Sequence, residues 1–442
     1  MARLTCRDGV PIIRRSAATR GVALHNRSEL AVLFLTLFLL MLGVGIIIPN
    51  IAYHAQENRA SAFQISLLFT LYSLMQFLFA PFWGHLSDRV GRKPVLVLGL
   101  FGNAVGLALF GVSSGLPELY AARALSGLMS SAALPTAMAY VADITDEKSR
   151  GRGMGLLGAA MGLGFIFGPA IGGALSGFGH RVPFLAASCL NLATCLLAAL
   201  LLRESLGARA RHAAAPGGAA AVIGVGEAPP VAPEPRFIRP WRAFSSPLLP
   251  FYLVAFFVTF AMASLESIFP LFIQDRFGFG ARDMGTMFLF MGTGVFLVQA
   301  FLLGRWIGTL GEENVMQGGL LVNALGFLLV IAAKGRVSLT AALLVSGVGN
   351  QVMRPTNASL LTKRTRRGKG AAIGIMDSFD SAGRILGPIV AGSLYGPDPR
   401  YPYLASAAIL AAVGTALWLR KGRRPYGARQ AAPEVSSSSE GP

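Results

Sequence analysis

Long apolar runs separated by short polar turns make up most of the chain. Twelve runs are each near the ~20 residues that a helix needs to cross the hydrocarbon layer of a bilayer. The predicted spans are 29–52, 63–86, 94–113, 117–141, 152–175, 183–202, 248–273, 284–306, 314–334, 337–361, 370–394 and 402–419. The pattern therefore predicts an all-α membrane protein with twelve transmembrane helices.

The predicted spans form two groups of six, separated by a segment rich in Ala, Gly, Pro and Arg. That composition is typical of a flexible linker. The N-terminal segment contains six arginines and no apolar core, so it does not have the pattern of a cleavable signal peptide. We predict a cytoplasmic N-terminal tail, an N-terminal six-helix bundle, a cytoplasmic linker, a C-terminal six-helix bundle and a disordered cytoplasmic tail, at 1–28, 29–202, 203–246, 247–420 and 421–442.

The two groups of six repeat one another. The glycine-rich run Gly155–Gly173 returns 219 residues later, where Gly383 and Gly387 match Gly164 and Gly168. Further landmarks recur at an offset of 220, namely Gly84/Gly304, Gly91/Gly311, Asn103/Asn323, Gly127/Gly347 and Pro135/Pro355. Parallel six-span repeats predict two pseudo-symmetric bundles around a central cleft that opens alternately to each side.

Composition and charge narrow the class of protein. The chain is 53% apolar and 14% charged, with a mean hydropathy of +0.57, which excludes an ordinary soluble globule. The net charge of +18 could indicate nucleic acid, but 29 of the 39 Lys and Arg residues fall on one side of the predicted spans, 7 on the other and 3 inside. This asymmetry predicts a lipid bilayer as partner, no nucleic acid, and both termini in the cytoplasm of a multi-pass cell-membrane protein. Three cysteines are too few for a disulfide framework, and no spacing indicates a metal site.

Two segments carry recognisable motifs. The turn after the second span reads Gly-His-Leu-Ser-Asp-Arg-Val-Gly-Arg-Lys over residues 84–93, where glycine permits a tight turn and Asp88 can stabilise a helix N-terminus. A basic turn that only sets topology is the simpler alternative. The run Gly155–Gly173 lets helices approach closely, and Pro169 bends it. Together the two motifs resemble the major facilitator superfamily, and within it the twelve-span drug–proton antiporters.

The resemblance implies roles for these residues. A cytoplasmic latch would comprise Gly84, Asp88, Arg89, Gly91, Arg92, Lys93 and, as the partner of Arg92, Asp143. An exporter motif would comprise Gly155, Gly164, Gly168, Pro169, Gly172 and Gly173, which could alternatively serve helix packing alone. Arg123 occupies the position of a family arginine linked to proton coupling. A structural arginine bonded to backbone carbonyls is the alternative.

This chain lacks two acids of the family patterns, and the matched acid that remains lies in the second half. The first half resembles tetracycline exporters, but Leu40 stands where they have an acid. The second half resembles Gram-positive multidrug pumps, but Gln351 stands where they have an acid three residues before Arg354. Glu266 is then the matched acid of the proton-coupling set, which comprises Glu266, Asp377, Asp380, Arg384, Arg123 and Arg354. Asp377, Asp380 and Arg384 share a helical face, and Asp380 and Arg384 either pair with each other or serve as a proton site.

The combined observations predict a secondary active transporter and not an enzyme. We expect a monomer that exports a small amphipathic substrate in exchange for protons, with no cofactor besides the proton gradient. Tyr72, Gln76 and Gln351 are candidate residues of the substrate cleft. An exporter of an endogenous metabolite such as a sugar, amino acid or siderophore is the alternative within transport, and a membrane sensor or scaffold without turnover is the alternative outside it.

Overall fold

The computed structural model describes residues 13–205, 246–365 and 368–422, and within these ranges every regular element is helical. The predicted linker and C-terminal tail fall mostly on residues 206–245 and 423–442, outside the described ranges. We call residues 13–205 the first half and residues 246–422 the second half.

The first half contains seven helices. They are α1 (Ile13–Glu57), α2 (Ala62–Val90), α3 (Arg92–Val112), α4 (Leu116–Ser130), α5 (Ala133–Ile144), α6 (Glu147–Leu175) and α7 (Val182–Leu201). Helix α1 begins well before the predicted start at residue 29, so part of the predicted N-terminal tail is helical. The fourth predicted span is divided into α4 and α5 at Ser131 and Ala132, just before Pro135.

The second half also contains seven helices. They are α8 (Leu249–Phe277), α9 (Ala281–Leu297), α10 (Leu303–Leu310), α11 (Glu312–Ala332), α12 (Arg336–Arg364), α13 (Lys369–Tyr395) and α14 (Tyr401–Gly422). A π turn at Val298–Leu302 joins α9 to α10, so the eighth predicted span is continuous but locally unwound.

Ten helical segments among the described residues are long and apolar enough to cross a membrane. The chain is therefore a multi-pass membrane protein. Helices α12 and α13 are long enough to cross, but neither is among those ten, and each carries four charged residues. Their charges lower the mean hydropathy of these two helices.

Packing follows the same scheme in each half. In the first half α1 packs along α6, and α3 packs along both α4 and α7. In the second half α8 packs along α13, and α11 packs along both α12 and α14. Between the halves the most extensive contacts join α6 to α9 and α2 to α13.

The contacts between the halves gather at one end of the molecule. We call the end that carries the 88–93 turn the basic end. At the other end the Tyr53 hydroxyl donates to the carbonyl of Phe279 (3.2 Å), and the Thr70 hydroxyl donates to the carbonyl of Ile385 (3.1 Å). Gly173 also meets Ala281 there, and Gly392 meets Ser66. The halves are thus closed together at the end opposite the basic turns.

Candidate functional site

The turn at the basic end is organised around Arg92. Gly91, with φ of +120°, ends α2 and lets α3 start at once, which places Arg92 in the first turn of α3. The buried guanidinium donates to Asp143 (3.1 Å), Asp88 (2.5 Å) and the Ser87 hydroxyl (2.8 Å). The predicted contact between Arg92 and Asp143 is present, and two carboxylates neutralise one buried cation.

The Asp88 carboxylate remains more than half exposed although it pairs with Arg92. It lines a recess of about 330 Å³ between α2 and α5, whose other lining residues include His85, Pro135 and Ala139. No described hydrogen bond or ion pair joins Asp88 to the start of α13. In this structure the described hydrogen bonds between the halves lie at the other end.

Three residues just after α7 bind to the helices around this turn. The Glu204 carboxylate accepts hydrogen bonds from the backbone N–H groups of Arg92 (2.8 Å) and Lys93 (3.2 Å), so it caps α3 from a distant part of the chain. Ser205 donates to Asp143 (3.1 Å), and the Arg203 carbonyl accepts from Tyr140 (2.8 Å). Sequence reasoning assigned these residues to the flexible linker, because a cap supplied from elsewhere in the chain leaves no local signal.

The second half repeats the Arg92–Asp143 pair with the charges exchanged. Residues 220 positions later are Glu312 and Lys363, and the Lys363 ammonium donates to the Glu312 carboxylate (2.9 Å). Ser359 also donates to Glu312 (2.7 Å), and the neighbouring Arg364 pairs with Glu313. The repeat offset contained the signal for this pair, but only a comparison of charge sign at matched positions would have found it.

The glycines of α6 bring that helix against two partners. A Cβ atom placed on Gly164 would lie 2.7 Å from the Met41 Cβ, and one on Gly168 would lie 2.6 Å from the Cα of Gly45, both on α1. Gly172 meets the Ile46 carbonyl at still closer range. Gly173 faces the second half instead, where a Cβ would lie 2.6 Å from the Ala281 carbonyl oxygen. Backbones approach this closely only where side chains are absent.

The matched glycines of α13 have the same division of contacts. A Cβ on Gly383 would lie 2.5 Å from the Phe256 carbonyl oxygen of α8, and Gly387 meets the Phe260 carbonyl. A Cβ on Gly392 would lie 2.7 Å from the Ser66 hydroxyl of α2, in the first half. A Cβ on Gly155 would meet no heavy atom of the described residues within 4 Å, so close approach does not explain that member of the motif.

A charged cluster lies on α12 and α13 of the second half, next to α8. The Arg354 guanidinium reaches Asp377 (3.6 Å) and Asp380 (3.9 Å), and the Thr259 hydroxyl donates to Asp380 (2.7 Å). The side chains of Arg354 and Asp377 are more than half exposed although both lie far from the helix ends. In a membrane such charged groups are tolerated where they face a bundle interior or a water-filled cavity, so α12 and α13 carry them on a side that does not face lipid.

Asp380 does not form the predicted pair with Arg384. Among the described residues its ion-pair partner is Arg354 on α12, because α12 crosses the face of α13 at that level. Arg384 is exposed and acts electrostatically on both Asp380 and Glu266. The exposed side chain of Gln351 lies on α12, one turn before Arg354.

Glu266 lies on α8, two turns beyond Thr259 and therefore on the same helical face. It is partly buried, and within the described part of the chain no hydrogen bond or salt bridge holds its carboxylate. The matched position in the first half is Gly45, which packs against Gly168 and Pro169. The acid is thus present on one side of the repeat only.

In the first half, α2 and α4 carry a cluster of hydroxyl and amide groups beside a buried arginine. The Gln76 amide donates to the Tyr72 hydroxyl (3.2 Å) and to the Ser130 hydroxyl (3.3 Å). Arg123 is 4% exposed, and its guanidinium carbon lies 4.4 Å from the centroid of the Tyr72 ring. Phe69 and Phe110 add two further aromatic faces at 6.0 and 5.8 Å.

These features define a polytopic helical membrane protein with a charged space between two groups of helices. A sequence model described as the Major Facilitator Superfamily matches residues 33–308 and 285–439, and the chain belongs to that superfamily, whose members are transporters and not enzymes. The resemblance seen in the two sequence motifs is therefore confirmed.

Curated relatives cover almost the whole chain. It is 30% identical to Multidrug resistance protein 1 of Bacillus subtilis (strain 168) over 393 residues, which is 88% of this chain and 95% of the relative. It is 28% identical over 403 residues to Multidrug resistance protein 2 of the same organism, covering 90% and 96% of the two chains. Quinolone resistance protein NorA of Staphylococcus aureus is 24% identical over 390 residues, covering 87% and 95%.

Solved structures share the fold. The nucleoside transporter NupG matches with a TM-score of 0.70 at 13% identity, covering 88% of this chain and 99% of that one. The human organic anion transporter MFSD10 matches with a TM-score of 0.61 at 24% identity, covering 89% and 99%. At these identities the structural comparisons support the architecture alone.

Proposed function

We propose that this protein is a proton-driven exporter of small amphipathic organic compounds in the cell membrane. It works as a monomer, with both termini in the cytoplasm and no cofactor besides the proton gradient. The names of the curated relatives, which refer to resistance against drugs and quinolones, support export as the direction of transport. The observation that carries the proposal is the cluster of acids and arginines that is exposed well inside the lengths of α12 and α13.

In this proposal α4 with α5 and α9 with α10 each form one span, so the fourteen helices make twelve crossings of the bilayer, including α12 and α13. Their charges do not oppose insertion, because charged residues in a membrane are tolerated where they face a bundle interior or a water-filled cavity. The two six-helix bundles are pseudo-symmetric. The repeat offset supports this symmetry, as do the matched packing of α1 on α6 and α8 on α13 and the matched roles of Gly173 and Gly392.

Transport proceeds by alternating access. The basic end faces the cytoplasm by the positive-inside rule, so the present conformation admits substrate from the cytoplasm. Closing that end brings α13 toward α2, where the start of α13 meets the exposed Asp88 carboxylate and the adjacent recess. Arg92 and Asp143 keep the 88–93 turn in position for this contact.

Proton exchange takes place on the second-half side. Glu266 has no ion pair within the described part of the chain, so a proton can neutralise it without breaking an existing salt bridge. A cationic group of the substrate favours the charged carboxylate and displaces that proton. Arg354 keeps Asp377 and Asp380 in defined positions near the same path.

Reconstitution into liposomes tests the proposal. The purified protein is inserted in liposomes that contain ethidium or tetraphenylphosphonium, and a proton gradient of either direction is imposed. Efflux should accelerate when protons are more concentrated on the side that receives the substrate, and a protonophore should abolish the acceleration. An efflux rate that does not depend on the proton gradient would refute proton coupling. The absence of transport for every amphipathic cation tested would refute the substrate class.

A further inference from the structure

The hydroxyl and amide cluster on the first-half wall can free a donor. The Tyr72 oxygen accepts a hydrogen bond from the Gln76 amide (3.2 Å) and lies 3.0 Å from the Ser130 hydroxyl oxygen. Ser130 has one hydrogen, which can go to Tyr72 or to the Gly127 carbonyl (3.3 Å). When Ser130 donates to Tyr72, the hydrogen of the Tyr72 hydroxyl is left for a group outside the cluster.

The cluster lies on the side of α2 that faces the space between the halves. One face of α2 carries Leu67, Leu71, Leu74 and Leu78 at helical spacing, which suits lipid. The opposite side carries Phe69, Ser73, Gln76 and Ala80, and Tyr72 lies beside it, against α4. The polar group is thus on the cleft side of the helix.

The cluster and the acids of α13 lie at the same depth. Thr70 on α2 bonds to Ile385 on α13 at 3.1 Å, which fixes the level of the two helices. Moving toward the basic end, Gln76 is six residues beyond Thr70, while Asp380 and Asp377 are five and eight residues beyond Ile385. At about 1.5 Å per residue these positions face one another across the cleft.

The first-half and second-half sides of the cleft carry opposite charges. Arg123 is buried behind the Tyr72 ring, its Nε has no hydrogen-bond partner among the described residues, and aromatic rings surround its guanidinium at 4.4 to 6.0 Å. The second-half wall holds the three acids Glu266, Asp377 and Asp380 against the two arginines Arg354 and Arg384. The electric field across the cleft therefore favours a molecule with its electron-rich end toward Tyr72.

On the basis of the proposed transport function, we infer that Tyr72, Gln76 and Ser130 form a subsite for an oxygen acceptor of the substrate. The Tyr72 hydroxyl donates to a carbonyl or carboxylate oxygen, and Gln76 and Ser130 hold that hydroxyl in place. The substrate class is then a dipolar amphipath, whose cationic group lies toward Asp377 and Asp380. A cation without an acceptor uses only half of the site.

A matched pair of probes tests the subsite. Tetraphenylphosphonium and (4-carboxyphenyl)triphenylphosphonium differ by one carboxylate, and equilibrium binding of both is measured on the purified full-length protein. A hydrogen bond to a charged acceptor contributes roughly 1.5 kcal/mol or more, which corresponds to about tenfold in affinity. The affinity ratio of the carboxylate probe to the parent cation should therefore fall about tenfold in Tyr72→Phe.

Two further variants make the result specific. Tyr120→Phe removes another α4-side hydroxyl, which donates to the Gln64 carbonyl at 3.0 Å outside the cluster, and should leave the ratio as in the wild type. Gln76→Met keeps the phenol but removes its support, so the ratio should fall severalfold. An unchanged ratio in both Tyr72→Phe and Gln76→Met would overturn the subsite. Because the readout is a binding ratio, it stays separate from the proposed function, whose own failure would appear as no gradient-driven transport in the wild type.

Discussion

Replacing Gly168 by alanine tests the close approach of α6 to α1 with a magnitude taken from the structure. The new Cβ would lie 2.6 Å from the Cα of Gly45 and 2.8 Å from the Leu42 carbonyl oxygen. Both are backbone atoms, so no side chain can rotate away. Ordinary contact begins near 3.4 Å, so the two helices must separate by about 0.8 Å. Overpacking of this kind typically costs about 1–3 kcal/mol.

Gly162→Ala is the matched control on the same helix. No heavy atom of the described residues lies within 4 Å of a Cβ at that position, and alanine raises helix propensity by up to ~1 kcal/mol. Thermal unfolding of both variants in the same detergent gives the comparison. Gly168→Ala should melt below the wild type, and Gly162→Ala should melt at or above it. Equal midpoints for the two variants would refute the packing role assigned to the exporter motif.

Two further predictions concern the closing of each end. Asp88→Asn should strongly slow export while leaving the melting temperature near that of the wild type, since Asp143 and Ser87 still hold the Arg92 guanidinium; wild-type efflux by a well-expressed variant would exclude the latch. Gly173→Ala should weaken closure at the other end, where a Cβ would lie 2.6 Å from the Ala281 carbonyl oxygen. The reporter is Ser66→Cys in a background that lacks the native cysteines. Maleimide should label this cysteine faster when Gly173→Ala is added than when the control Gly177→Ala is added, and equal labelling rates would contradict this assignment.

Apolar periodicity located the helices because lipid imposes it. A spanning segment must satisfy its backbone internally and present apolar side chains outward, so span positions can be predicted from hydropathy alone. The glycine pairs were also predictable, because Gly168 and Gly387 mark close contacts that tolerate no side chain. The break between α4 and α5, which falls just before Pro135, and the π turn at Val298–Leu302 were not predicted.

Ion-pair partners were predictable only where a family pattern named them. The Arg92–Asp143 pair follows the latch motif. Asp380, in contrast, pairs with Arg354 of the neighbouring helix and not with Arg384 on its own helix. Spacing along one helix shows which side chains share a face, but it does not show which neighbouring helix crosses that face. The cap that Glu204 supplies to α3 was missed for the same reason, since it joins residues more than one hundred positions apart.

The measurement that most directly tests the proposed mechanism compares two variants at Glu266. Gln keeps the shape and hydrogen bonding of the side chain but cannot ionise, whereas Asp keeps an ionisable carboxyl group on a shorter chain. In liposomes with an imposed pH gradient, Glu266→Gln should lose gradient-driven efflux of amphipathic cations, and Glu266→Asp should retain part of it. Gradient-driven efflux at the wild-type rate in Glu266→Gln would contradict the account and move the proton site to Asp377 and Asp380.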